Sequence, residues 1–234
     1  MADSNRGTGA MNRTGHFQAS SRYVTALGFR WLTPLYDGLL RLGGRERTFK
    51  GRLLDQAAIQ PGESVLDLGC GSGTLAIQLK QRAPTAEIVG LDGDPDILSR
   101  ARCKALRAGL TIRFDRGLSW ELPYPDDSID VVVSTLFFHH LDARGRSRTL
   151  AEVARVLRPE GRLHVADWGR QGSLLMRTMS FPDRLLDGVD RTADSFAGRL
   201  PVVMEEAGFV SVSETGTLDT AFGRLTFYAA SKLS

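Results

Sequence analysis

The sequence predicts an α/β fold, doubly wound about a mostly parallel sheet, and three observations predict it. Short apolar runs alternate with amphipathic helical periods from about residue 64 to residue 168. A glycine-rich turn, with Gly69, Gly71 and Gly73 at alternate positions, follows the first of those runs. Late in the chain stand two alternating segments separated by polar residues and Gly216, the pattern of an antiparallel pair. Repeated strand–helix units require right-handed crossovers, which place helices on both faces of a parallel sheet.

The elements follow in order. Residues 1–22 are polar and basic and predict a disordered arm without the apolar core of a secretory signal. Residues 23–60 predict a helical cover. Aromatic residues and leucines recur in "YVTALGFRWLTPLYDGLLRLGG", Pro34 and Gly43–Gly44 punctuate it, and a longer helix lies in "RERTFKGRLLDQAAI". The main domain is expected over 61–234. There "SVLDLG", "AEIVGLD", "TIRFD", "IDVVVST" and "RLHVADW" read as strands. The helices between them are "TLAIQLKQRA", "PDILSRARCKALRAG" (opened by Asp94-Pro95) and "RSRTLAEVARVL". "FVSVSET" and "RLTFYAAS" form the expected antiparallel pair. Between Trp168 and Gly208 no clean strand appears, so a lid insert is expected near 170–205.

Composition narrows the function classes. The 234 residues suffice for one large domain with a small appendage, and 42% hydrophobic with 24% charged residues is the balance of a soluble globular protein. No apolar run approaches the roughly 18 residues that span a bilayer. Two cysteines, Cys70 and Cys103, make neither a disulfide framework nor a metal pattern, and a reducing cytoplasm is the expected compartment. The net charge of +3 is uneven: residues 1–60 hold nine Lys or Arg against four Asp or Glu. That front end reads as a solvated arm, with weak contact to a membrane surface as the functional alternative.

The glycine turn then discriminates among ligands. A dinucleotide fingerprint would need glycine at Thr74, and a P-loop would need a lysine well before Lys80. Asp67, just ahead of the glycines, repels phosphate and favours a cation. Asp92 ends the next strand about 20 residues on, where a carboxylate accepts both hydroxyls of a ribose. A nucleoside with positive charge and no phosphate is wanted. S-adenosylmethionine meets both demands.

At this point the chain resembles the class I S-adenosylmethionine-dependent methyltransferases, of the type that includes the ubiquinone and menaquinone biosynthesis C-methyltransferases. The resemblance runs from about Arg45 to Ala166 and rests on "VLDLGCGSG", "GLDGDP", "LPYPDDSIDVVVSTLFFHHL" and "LRPEGRLHVADW". It implies a Rossmann-like, seven-stranded sheet of order 3-2-1-4-5-7-6 with strand 7 antiparallel. It implies that Gly69, Gly71, Ser72 and Gly73 line the cofactor, that Asp67 lies near its ammonium group, and that Asp92 with Gly93 holds the ribose. Leu118 and Ser119 fall where relatives carry an adenine-binding acid or amide, so Leu118 departs from the pattern. Thr135, ending the fourth strand, completes the cofactor set.

His139 and His140 follow that strand at the expected edge of the substrate site, where an imidazole can take a proton from a nucleophile. The competing reading is a pair of wall residues without chemistry. No metal is expected, since no second His or Cys cluster completes a site. Tyr36, Phe138 and Met179 are the expected substrate contacts, and the apolar cover and insert point to a small, lipophilic acceptor rather than a nucleic acid. A phospholipid N-methyltransferase at a membrane surface and a non-catalytic S-adenosylmethionine-binding module are the alternative readings.

Overall fold

The computed structural model describes residues 46–169, 198–220 and 223–234. The expected arm at 1–22, the cover before residue 46, Tyr36, and the insert over 170–197 with Met179 lie outside the described residues. The chain runs α1 (Glu46–Ala57), β1 (Ser64–Leu68), α2 (Thr74–Arg82), β2 (Glu87–Asp92), α3 (Pro95–Arg107), β3 (Arg113–Arg116) and β4 (Ile129–Thr135). A single 3-10 turn (Phe138–His140), α4 (Ala143–Val156), β5 (Leu157–Trp168), α5 (Leu200–Glu206), β6 (Phe209–Thr220) and β7 (Gly223–Lys232) follow.

Local chemistry sets the helix starts. Asp94 accepts the amides of Asp96 and Ile97 at the head of α3, and Pro95 occupies the first helical position, where its missing N–H does no harm. Asp142 accepts the Gly145 amide at 2.7 Å, so α4 begins at Ala143, three residues before the expected start at Arg146.

The seven strands form one sheet in the order β3-β2-β1-β4-β5-β7-β6. β1 pairs in parallel with β2 and β4, β2 with β3, and β4 with β5, whereas β7 runs antiparallel to both β5 and β6. This is the predicted order, including the reversed strand.

Strand periodicity divides the core. Val65, Val131, Val133 and Ala166 point to the face covered by α1, α2 and α3. Leu66, Leu68, Val132 and Val165 point to the face covered by α4 and α5. Both faces of β4 are therefore dry, which explains its unbroken valine run. The end of the expected insert belongs to this body: α5 buries Met204 completely, and Leu200, Val203 and Ala207 pack beside it. The sheet order reverses between β1 and β4, and their carboxyl ends open the crevice where open α/β sheets take ligands.

Candidate active site

The glycine turn leaves β1 and is pinned to β2. The amides of Gly69 and Cys70 both donate to the Leu91 carbonyl, at 2.9 and 3.0 Å, and the Gly73 amide closes a turn onto the Cys70 carbonyl. Gly69, Gly71 and Gly73 all have left-handed backbones, with φ of 70, 52 and 72°. Their surroundings differ. A Cβ on Gly69 would lie 2.4 Å from Cδ2 of Phe137, and one on Gly73 would lie 2.9 Å from Cζ of Phe114. A Cβ on Gly71 would meet nothing nearer than Ile97 Cδ1 at 4.0 Å. Two glycines thus admit neighbouring rings, and Gly71 alone leaves open space. Ser72 and Gly93 are half-buried.

Asp92 ends β2 and is tied back to the turn. Its Oδ2 accepts the Gly71 amide at 2.9 Å and its Oδ1 accepts the Asp94 amide at 3.0 Å. Each carboxylate oxygen retains a second lone pair for a ligand hydroxyl. Burial holds the Asp92 carboxyl above its ordinary range, against the lowering effect of these amides.

Asp67 shares the Val65 face of β1 and is 1% exposed. Its Oδ2 accepts the Ala76 amide at 3.0 Å, in the first turn of α2, a helix whose head carries no side-chain cap. Its Oδ1 is buried without a hydrogen-bond partner. Burial pushes the Asp67 carboxyl up to about 7, and Lys50 on α1 works against that rise. Lys50 itself pairs with Glu46 at 2.7 Å. Among the described residues, neither Asp67 nor Asp92 has an ion pair. Two carboxylates and one orphaned acceptor around an open backbone make a site for a cation that also carries hydroxyls.

The other expected cofactor residues divide. Thr135 stands half-buried at the end of β4, and Leu118 half-buried on the connection after β3, where its carbonyl accepts the Glu121 amide at 3.1 Å. Ser119 turns inward: its hydroxyl pairs with that of Thr149 on α4 at 2.8 Å, and it is 5% exposed. Phe138, expected to touch substrate, is instead 2% exposed among Leu150, Val153 and Leu163. The 3-10 turn rotates it into the core and leaves Phe137 half-buried over Gly69.

His139 and His140 stack with ring centroids 3.8 Å apart, His139 half-buried and His140 exposed. His139 Nδ1 lies 2.8 Å from Oδ1 of Asp167, a residue 2% exposed at the end of β5. Asp167 lies outside the motifs that single out the other site residues. The signal for it was an acid at the carboxyl end of a parallel strand, "HVADW", the same placement as Asp92 in "VGLD". Lys50 carries no such signal, being one charge on a helix whose pattern predicts only a cover.

A methyltransferase domain family matches residues 65–161. A demethylmenaquinone methyltransferase of Thermus thermophilus is 39% identical over 142 residues, covering 60% of this chain and 64% of the relative. An uncharacterized methyltransferase of Synechocystis is 33% identical over 149 residues, covering 63% of this chain and 67% of the relative. The chain thus spans just under two thirds of the length of the Thermus relative. The crystal structure of a SAM-dependent methyltransferase from Methanosarcina mazei superposes with a TM-score of 0.61 at 24% identity, covering 75% of this chain and 94% of that one, which shows the shared fold.

Proposed function

The chain belongs to the class I S-adenosylmethionine-dependent methyltransferases, and on that premise we propose that it methylates a small, lipophilic acceptor. The observation that carries this reading is a pair of carboxylates with no ion pair among the described residues: Asp67, buried with an unpartnered Oδ1, and Asp92, which holds the amide of the open glycine Gly71. The naming of the Thermus relative for a quinone precursor supports a lipophilic acceptor.

The cofactor fits these residues. Asp92 would hold the ribose diol through the lone pairs that its two amide bonds leave open. Asp67 would receive the ammonium group at its orphaned Oδ1. Gly71 would admit the ligand against its backbone, with Ser72, Gly93, Thr135 and Leu118 around it. Once bound, the sulfonium supplies an electrophilic methyl carbon. The protein's task is to hold the acceptor in line with that carbon and to keep water out. The Phe137 ring and the partly buried Trp168 supply apolar wall at the carboxyl ends of β4 and β5.

The test is calorimetry with S-adenosylmethionine and S-adenosylhomocysteine, with NADH as the control, followed by methyl transfer to a short-chain demethylnaphthoquinol. Binding of both sulfur nucleosides near micromolar affinity, about −8 kcal/mol, is the expected result. Heat from NADH alone would refute the reading.

A further inference from the structure

A nucleoside held at Asp67 and Asp92 has a direction. Asp67 lies on β1 and Asp92 ends β2, and the sheet continues from β2 to β3. The 5′ arm and the base leave a ribose from opposite ends. An ammonium arm at β1 and a ribose at β2 therefore send the base toward the connection after β3. That connection is tied to the end of β2, because the Gly117 amide donates to the Asp92 carbonyl at 3.1 Å. A Cβ on Gly117 would lie 2.9 Å from Leu91 Cδ1, so the backbone passes close against β2 there.

The next three residues alternate between outside and inside. Ser119 is 5% exposed, and its hydroxyl pairs with that of Thr149. Leu118 and Trp120 are half-buried, yet neither packs against either core cluster. Two apolar side chains without a task in the core thus flank Ser119, on the stretch toward which the base is directed. The polar groups nearby are engaged. The Leu118 carbonyl accepts the Glu121 amide at 3.1 Å, and Asp115 holds Arg113 and Tyr124 at 2.8 and 3.2 Å. Glu121 itself is exposed. An amine brought against Leu118 gains no acceptor from that side chain, and desolvating a donor without a partner costs affinity.

We propose that Leu118 is a specificity-determining residue: the site takes the purine by apolar contact with Leu118 and Trp120 and does not read the amine on its C6. This rests on the methyltransferase reading above. The ligand class is then wider than S-adenosylmethionine and extends to sulfur nucleosides whose purine lacks the 6-amino group. The ring face is apolar in all of them, so burial against leucine and indole is retained. Where no acceptor meets the amine, removing it takes away a desolvation cost and no hydrogen bond. An aspartate at 118 reverses the preference, because a carboxylate accepts from the amine and gains nothing from a bare C–H.

The experiment is calorimetric titration of the full chain with S-adenosylhomocysteine and with its 6-deamino analogue, in which unsubstituted purine replaces adenine. The wild-type chain should bind the deamino compound as tightly as the parent, or more tightly. Leu118→Asp should tighten the parent roughly 2- to 10-fold, the net effect of one hydrogen bond, and leave the deamino compound unimproved. Leu118→Ala should weaken both compounds by the same factor, since it removes apolar contact alone.

A wild-type chain that binds the deamino compound more than about 3-fold more weakly than the parent would overturn the proposal, since a lost hydrogen bond has that size. So would a Leu118→Ala variant that binds both compounds as the wild type does, or a Leu118→Asp variant that tightens both equally. If Leu118→Asp does not fold, the wild-type comparison decides by itself. Binding of neither compound refutes instead the underlying methyltransferase reading.

Discussion

The Gly71 amide donates to Oδ2 of Asp92 across 2.9 Å, so the glycine turn after β1 and the carboxylate ending β2 form one hydrogen-bonded unit. The acid shapes the turn, and on the proposed reading it also presents its remaining lone pairs to a ligand. The glycine donates to the acid and, on the same reading, leaves the open approach to that ligand.

Asp92→Ala removes both jobs. Affinity for S-adenosylhomocysteine should fall by about 2–4 kcal/mol, the loss of two hydrogen bonds to a charged acceptor. The Gly71 and Asp94 amides also lose their partner, so the unfolding midpoint should drop. Calorimetry and thermal melts on the same sample check both, and unchanged affinity would remove Asp92 from the site.

The three glycines should separate by phenotype. Gly69→Ala and Gly73→Ala drive a methyl into the rings of Phe137 and Phe114 and should destabilise by more than the ~1–2 kcal/mol of a left-handed alanine. Gly71→Ala carries only that backbone strain, yet its methyl enters the open space before the turn. It should melt closest to wild type and bind cofactor worst. The reverse ranking, read from melts and titrations together, would place the ligand elsewhere.

Asp67 predicts opposite effects on stability and binding. Its folded value near 7 lies above the ordinary 3.8, so the folded chain holds more protons than the unfolded one between those limits. Its contribution to stability is full below about 4 and is lost as pH rises through 7. His164, held down to about 4 by burial and Arg162, contributes in the opposite sense as pH falls from 6.5, so the informative quantity is the difference between variant and wild type. Asp67→Asn should be the more stable chain at pH 8, by up to about 4 kcal/mol, and this margin should vanish near pH 4. It should nevertheless bind S-adenosylmethionine more weakly at pH 8, where wild-type Asp67 is ionised to meet the ammonium group. Urea titrations across the pH series measure the first effect and calorimetry the second.

Ser119 offers a test of the adenine side. Its hydroxyl is paired with Thr149 in the core, so Ser119→Ala should cost about 1 kcal/mol of stability and leave cofactor affinity unchanged. Leu118→Asp, one residue earlier and half-buried, should tighten binding by ~0.5–1.5 kcal/mol if it supplies an acceptor to the adenine amino group. Weaker binding in Ser119→Ala would show that the serine faces the ligand.

Periodicity was enough to read most of the scaffold. The run "IDVVVST" is β4 to the residue, and the alternation of Val131, Val132 and Val133 between two dry faces is what an uninterrupted apolar strand means. Asp67, Asp92 and the open turn at Gly71 were legible because strand ends, glycines and acids lie close together along the chain and their spacing carries their geometry. The sheet order itself came from the resemblance to relatives, since alternation of elements is compatible with several orders of parallel strands.

What only the tertiary structure decided lies between distant segments. His139 meets Asp167 because Thr135 on β4 lies in register with Ala166 on β5, bringing together residues 28 positions apart. No local period encodes that pairing. Likewise Phe137 and Phe138 are adjacent aromatics with the same propensities, and Ser119 is polar. Which ring enters the core and whether that hydroxyl finds Thr149 depend on the backbone of one 3-10 turn and on how α4 seats against the sheet. Local sequence determines which faces are apolar, and strand register and packing determine which polar groups meet across them.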